Sequence, residues 1–382
     1  MAIISGGKGL RKQESTPFVV NGDMAVAQRG TSQTGIGDGD SGYHTIDRFK
    51  FEEGNSPSAV WTMTQESLTS GNAYAAGFTK ALKMDVTTSD DVSGHGDILN
   101  VICYHSERQD AHRWLKGTSS AEKFTLAFWI KATKTGTHTC ELRDNANDRA
   151  VSASYTISSS NTWEHKVVTF PADTTGAIGT GNTKGLSIYW CLMHGGNYGS
   201  SSLQTSWGSS STAARYTGQV NNADSTSNNW HLTGVQLEVG EYDATTIPPF
   251  QHERFAENLA RCHRYCYVMG ASANAEDLGQ FTVGSGLCRS SGSAIFTDII
   301  GSYPQPLRTE PTLTQVGGDL TDVFCYKNNG TSANPTSISV NRNTIALRLG
   351  NNMGTSSGLT AGDATVQQIV EADTDLVFDA EL

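Results

Sequence analysis

The sequence predicts an all-β protein: a jelly-roll β-sandwich, then a short helix, then a second, smaller β-sandwich domain. Three observations carry this expectation. The 382-residue chain holds 40 glycines against 9 prolines, and only 17% of its residues are charged, which suits short strands joined by polar turns. Apolar residues recur at every second position in many short runs, such as KFTLAFWIKAT over 123–133 and WEHKVVTFP over 163–171. A single stretch, FQHERFAENLARCHRYCY, shows helical spacing instead.

At roughly 150 residues per domain the length gives two or three units. The patterns divide the chain into an N-terminal attachment segment (1–16), a jelly roll (17–247), a helical linker (248–268) and a C-terminal β domain (269–382). Residues 1–16 are polar, basic at Lys8, Arg11 and Lys12, and too short to fold alone. A first strand is expected over 17–30, with a turn at Asn21-Gly22, followed by a glycine- and aspartate-rich loop over 34–42. The segments TIDRFKF, SAVWTMTQ, AGFTKALKMDV and ILNVICYHS read as strands, as do 123–133, 137–144, 150–158 and 163–171. After LSIYWCLM (186–193) comes a low-complexity insert over 195–229, mostly Gly, Ser, Thr and Asn.

The strand WHLTGVQLEVG closes the first module, with Val235, Leu237 and Val239 alternating with Gln236 and Glu238. Gly240 breaks that pattern, and Pro248-Pro249 stiffens the exit into a helix expected over about 250–268. On it Phe255, Leu259, Cys262 and Cys266 form an apolar seam, which must pack on the chain's own sandwich or on copies of itself. The remainder is β-rich, with a hairpin signal at Asn329-Gly330. A last strand alternates Leu376, Phe378 and Ala380 with acids, which predicts a tied-down C-terminus.

The net charge of −11 argues against binding nucleic acid by general attraction to phosphates. No apolar run is long enough to cross a bilayer, and the first residues lack the apolar core of a signal peptide, so no membrane insertion is expected. The seven cysteines are dispersed without a C-x-x-C pair and lie in apolar patterns, as small buried hydrophobes do in a reducing compartment.

Several segments together carry a resemblance. They are NGDMAVAQRGT, Tyr43 with Asp47-Arg48-Phe49, LAFWIKAT, TWEHKVVTFPAD, and TGVQLEVG followed by FQHERFAENLARCHRY. In this order they resemble a family of tailed-bacteriophage tail-fibre and related virion proteins. That family joins a jelly roll similar to carbohydrate-binding modules to a short helix ending in Cys-x-Arg-Tyr, here Cys262-His263-Arg264-Tyr265. A C-terminal β domain follows with a proline-arginine-proline segment, here YPQPLRTEP over 303–311. The order matches along roughly 17–382, whereas fibres usually begin with a larger attachment domain than residues 1–16.

The resemblance implies a virion protein on the phage tail or particle surface, assembled in the host cytoplasm. It further implies a homotrimeric fibre or spike, joined to other virion proteins through residues 1–16, that recognises host surface glycans without catalysis. A capsid or tail decoration protein is the first alternative, favoured by the short N-terminus. A glycan depolymerase is the second.

No catalytic motif stands out: H-E-x-x-H and a P-loop lysine are both missing. Residues 37–42 fit G-x-G-x-x-G, but no helix pattern follows to hold a pyrophosphate, so a flexible turn is expected. Asp38 and Asp40 in that turn can offer oxygens to calcium, though without the later glutamate of a helix-loop-helix site. The resemblance implies a structural calcium between first and last strands, which points to Asp23 and Glu238; no other cofactor is expected. Cys262, His263 and Cys266 are zinc-type ligands, but the cysteines share the apolar seam while the histidine points elsewhere, so core packing is the better reading. For glycans the candidates are Tyr198, Trp207, Arg215 and Tyr216 in the insert, and Trp114, since rings in a Ser/Gly/Asn setting suit adaptable binding loops. The competing reading folds Trp207 back over the edge of the sandwich.

Overall fold

The computed structural model describes residues 17–92, 95–111, 114–270, 281–288, 296–316, 323–327, 332–333, 337–352, 359–369 and 375–382. The all-β expectation holds. The first sheet runs in the order β1 (Ser32–Gly37), β3 (Val60–Ser67), β4 (Lys80–Thr88), β12 (Asn229–Val239), β6 (Phe124–Ala132) and β9 (Glu164–Phe170). The second runs β11 (Gly208–Ser209), β8 (Arg149–Ile157), β7 (Gly136–Asp144), β10 (Lys184–His194), β5 (Leu99–Glu107) and β2 (Phe49–Gly54). Strand alternation sends Phe124, Leu126, Phe128 and Ile130 of β6 inward, where they meet Trp190, Trp230 and Phe49 in one core. The one polar atom of Trp61 is satisfied inside it, Nε1 donating to Asn100 Oδ1 at 3.0 Å.

Residues 17–30 are not the expected strand. Asn21 and Met24 adopt left-handed backbone (φ 61° and 60°), and the Asn21 amide donates to the carbonyls of Val26 and Asp47, both at 2.9 Å. Its own oxygen accepts the Val26 N–H, so the side chain replaces ladder bonds with a compact turn. Val19, Val20, Met24 and Val26 remain buried as a plug, Val19 and Met24 in the sandwich core and Val20 and Val26 against Cys262. Conversely, the expected loop over 34–42 begins inside a real strand. β1 pairs with β3 through a bulge between Gln33 and Ile36, and as a largely exposed edge it carries no apolar alternation.

Two short helices, α1 (Gly71–Ala75) and α2 (Arg108–Ala111), interrupt the strands, and α3 (Phe255–Cys262) follows the sandwich. α3 is shorter than the helix expected over 250–268. Cys266 belongs to β13 (Cys266–Gly270), which pairs with β22 (Asp375–Asp379), itself paired with β16 (Thr312–Val316). The proposed seam is therefore not one helical stripe. Cys262 packs on Val20 and Val26 with Leu259 beside it, whereas Phe255 is 59% exposed. The chain's own plug takes the inner half of the seam.

A fourth sheet runs β18 (Ser332–Ala333), β17 (Val323–Lys327), β21 (Ala364–Ile369), β14 (Phe281–Cys288), β15 (Phe296–Ser302), β20 (Ala346–Asn352) and β19 (Ser337–Arg342). The Asn329-Gly330 turn and residues 1–16 lie outside the described residues.

The C-terminal segment is welded to the sandwich. Arg264 grips Glu107 of β5 through two bonds of 2.6 and 2.8 Å, and the Tyr265 hydroxyl donates to the same carboxylate at 2.8 Å. The Arg48 guanidinium lies 3.4 Å from the centre of the Tyr265 ring and is ion-paired with Glu381. Arg29 holds Asp379 at 3.0 Å, Arg308 donates to the Ala380 and Glu381 carbonyls, and the Tyr43 hydroxyl donates to the Leu382 carbonyl.

Candidate functional site

The same alternation that fills the core projects a second set of side chains from the outer face of the second sheet. On β5 these are Leu99, Val101, Cys103 and His105; the ladder places Tyr189 of β10 opposite Cys103 and Ser187 opposite His105. On edge strand β2, Lys50 lies opposite Cys103 and Glu52 opposite Val101, while Glu141 of β7 faces Tyr189. A polar strip results, bounded at one end by the Arg264–Glu107 weld.

The insert roofs the other end and is not a loose loop. Arg215 donates to both Glu141 carboxylate oxygens at 2.7 and 2.9 Å and to the Tyr216 hydroxyl at 2.8 Å. Its guanidinium sits 4.8 Å from the Tyr216 ring centre, 5.4 Å from Tyr189 and 5.9 Å from Tyr198. Gln219 Oε1 accepts from the Thr139 N–H and hydroxyl, pinning the next residues to β7.

This docking corrects the expectation that the insert presents its rings. Tyr216 and Arg215 are buried because they anchor the roof. Trp114 is buried too, packed between Phe18 and Phe124 with ring centres 4.0 and 4.9 Å away. Trp207 folds back: its Nε1 donates to the Pro171 carbonyl at 2.8 Å and Lys116 lies 5.1 Å from the ring centre. Trp207 and Tyr198 keep partial exposure.

At the centre of the strip His105 is surrounded by polar groups. Its Nδ1 is 2.6 Å from Ser187 Oγ, and its Nε2 lies 3.4 Å from Glu52 Oε1, 3.2 Å from Lys184 Nζ and 3.5 Å from Cys103 Sγ. Lys50 Nζ reaches Glu52 at 2.8 Å. Burial pushes the His105 pKa down to about 4, so the ring is neutral near pH 7, and burial pushes the Cys103 thiol well up. Burial also works to raise the Glu52 carboxyl, but the neighbouring His105 and Lys50 outweigh it and hold Glu52 well below the usual carboxylate range. Lys184 is lowered by burial. Glu52, Lys50 and Lys184 are each partly exposed, so the strip is open to solvent. The sequence signal for it was Cys103-x-His105 inside a strand pattern, two polar side chains on one face; nothing local marked Glu52 or Lys184.

Among the described residues, the one group of three or more His, Cys, Asp or Glu side chains close enough to share an ion is Glu52, Cys103 and His105. The calcium candidates lie elsewhere. Asp23 Oδ1 accepts from Asn258 Nδ2 at 3.0 Å and from the Ala25 N–H, and burial raises its pKa. Glu238 sits on β12 opposite Thr125. Asp38 and Asp40 are exposed at a turn where Asp38 has φ 53° and the Gly39 N–H donates to Glu53.

No family model and no curated protein matches the chain. Among solved structures it is similar to the enzymatically active domain of tailspike protein 4 of bacteriophage CBA120 (13% identity, TM-score 0.28), over 50% of this chain and 19% of that one. It is also similar to the family 11 carbohydrate-binding module of a Clostridium thermocellum cellulosomal cellulase (9% identity, TM-score 0.27), over 56% of this chain and 98% of the module. A third likeness is to the N-terminal CBM22 tandem domain of Paenibacillus barcinonensis Xyn10C (12% identity, TM-score 0.25), over 94% of this chain and 98% of that one. The chain thus spans about a fifth of the tailspike chain it matches.

Proposed function

We propose that this protein binds glycans without catalysis, as a receptor-binding component of a tailed-phage particle, and that the outer face of the second sheet is where it does so. The observation that carries the reading is the strip itself: Lys50, Glu52 and Lys184, each partly open to solvent and held by one another and by the buried His105, with the partly exposed Tyr198 ring under the roof further along the same face. A sugar needs donors and acceptors on its rim and ring surface on its flat side. Side chains already locked in place lose little rotamer freedom when they bind it. If three copies assemble, weak single sites gain avidity by repetition.

The test is a glycan array with the purified full chain, followed by Lys50→Gln and Lys184→Gln. Binding to a defined glycan set that either substitution weakens about tenfold or more, with no release of reducing ends, supports the reading. Binding that both variants retain removes the strip from it. Failure to bind any array glycan or susceptible cell moves the protein to a structural place on the particle.

A further inference from the structure

We propose that Glu52, Cys103 and His105 form a site for a thiophilic divalent cation of the size of zinc, with water completing its coordination. The proposal does not rest on glycan binding, although the site lies in the same strip. One donor atom from each residue lies within 4.8 Å of the other two. A tetrahedral zinc ion bonds nitrogen and oxygen at about 2.0–2.1 Å and sulfur at about 2.3 Å, which puts neighbouring ligand atoms roughly 3.3–3.6 Å apart. The N–O and N–S separations, 3.4 and 3.5 Å, already match two edges of that tetrahedron.

The surroundings fit as well. Cys103 and His105 stand two residues apart on β5, so the strand itself holds both donors on one face. Ser187 Oγ, 2.6 Å from Nδ1, orients the ring and leaves Nε2 toward the cluster, the role outer groups play at metal-bound histidines. Glu52 comes from an edge strand and is 25% exposed, which gives the ion a way in. Binding releases the Cys103 proton to solvent; the resulting thiolate, the Glu52 carboxylate and the neutral imidazole together balance the two positive charges of the ion. Lys184 Nζ, 3.2 Å from Nε2, occupies the approach and swings out to solvent when the ion enters.

The experiment titrates the full-length protein with Co2+ and follows thiolate-to-cobalt charge transfer in the near ultraviolet, then displaces the cobalt with Zn2+. One Co2+ per chain is expected to give the band and Zn2+ to abolish it. Cys103→Ser should remove the band, Ser187→Ala should weaken binding about 10–100-fold, and Lys184→Gln should tighten it. Cys191→Ala, a change on the same face outside the cluster, should leave the band intact. No band at saturating Co2+, or a band that survives Cys103→Ser, overturns the proposal. Should Cys103→Ser not fold, Glu52→Gln decides, because a partly exposed edge-strand substitution leaves the fold in place: unchanged Co2+ affinity in that variant overturns the proposal equally.

Discussion

Replacing Arg215 with methionine separates an anchor from a ligand-binding residue. In the wild-type protein Arg215 is 9% exposed and donates to the fully buried Glu141 through Nε and Nη2, the latter also bonding the Tyr216 hydroxyl. Arg215→Met removes the guanidinium and leaves the carboxylate beneath the roof without its ion-pair partner. Stranding one member of a buried pair costs about 3–5 kcal/mol. For a sandwich of this size, roughly 2–4 °C per kcal/mol converts that into a melting temperature lower by about 6–20 °C. The assay is thermal unfolding followed by tryptophan fluorescence on the single variants and on Arg215→Met/Glu141→Met. The double variant should recover most of the loss, because a buried pair exchanged for apolar side chains of similar volume is often neutral. A single variant that melts within about 1 °C of wild type but loses glycan binding would refute the anchoring role and return Arg215 to the ligand.

Three other perturbations are as direct. His105 and His138 are both buried with pKa values lowered to about 4, so each contributes stability that is complete above pH 6.5 and lost as pH falls toward 4, at roughly 3 kcal/mol per group; urea midpoints that do not drop between pH 7 and 4 would contradict this, and His138→Phe should flatten the profile. Gly22→Ala places a methyl group 2.2 Å from the Val235 carbonyl oxygen, backbone against backbone, where no rotamer offers relief; a loss of about 1–3 kcal/mol is expected in denaturant unfolding, and an unchanged midpoint would show that the plug shifts freely. Phe255→Ser should change stability by less than about 0.5 kcal/mol, since the ring is mostly exposed. If Phe255 is the outer half of an oligomer seam, light scattering should show assembled wild type and dissociated Phe255→Ser, whereas a monomeric wild type at micromolar concentration ends the trimer expectation.

Strands that face a core on one side declared themselves in the sequence, because Phe124, Leu126, Phe128 and Ile130 can be spaced by two for only one reason. Where alternation misled, a side chain had replaced the ladder: residues 17–30 alternate like a strand, yet Asn21 bonds the carbonyls of Val26 and Asp47 and turns the chain. β1 failed in the opposite sense, since an exposed edge needs no apolar residue to stay in register. The insert shows a harder limit. Its composition predicts an open loop, and the pairing that closes it joins Arg215 to Glu141 across 74 positions of chain. The strip is legible by half for the same reason. Cys103 and His105 are neighbours on one strand, but Glu52 and Lys184 arrive from 53 and 79 positions away from His105.

The junction motif gains its meaning only at this level. Cys262-His263-Arg264-Tyr265 looked like the end of a helix and the most family-like segment of the chain. Each of its apolar or charged members has a separate job in joining the parts. Cys262 closes α3 onto the plug at Val20 and Val26. Arg264 and the Tyr265 hydroxyl converge on Glu107, the last residue of β5, whose carboxylate is fully buried and thus depends on them. The Tyr265 ring is the platform for Arg48, whose charge meets Glu381 from the far end of the chain. The charged members serve one buried network, so the three parts of the chain are held by interactions that lose their balance together when any one is removed. The same β5 that ends in Glu107 carries Cys103 and His105 four and two residues earlier. The weld therefore also fixes the strand on which the polar strip is built.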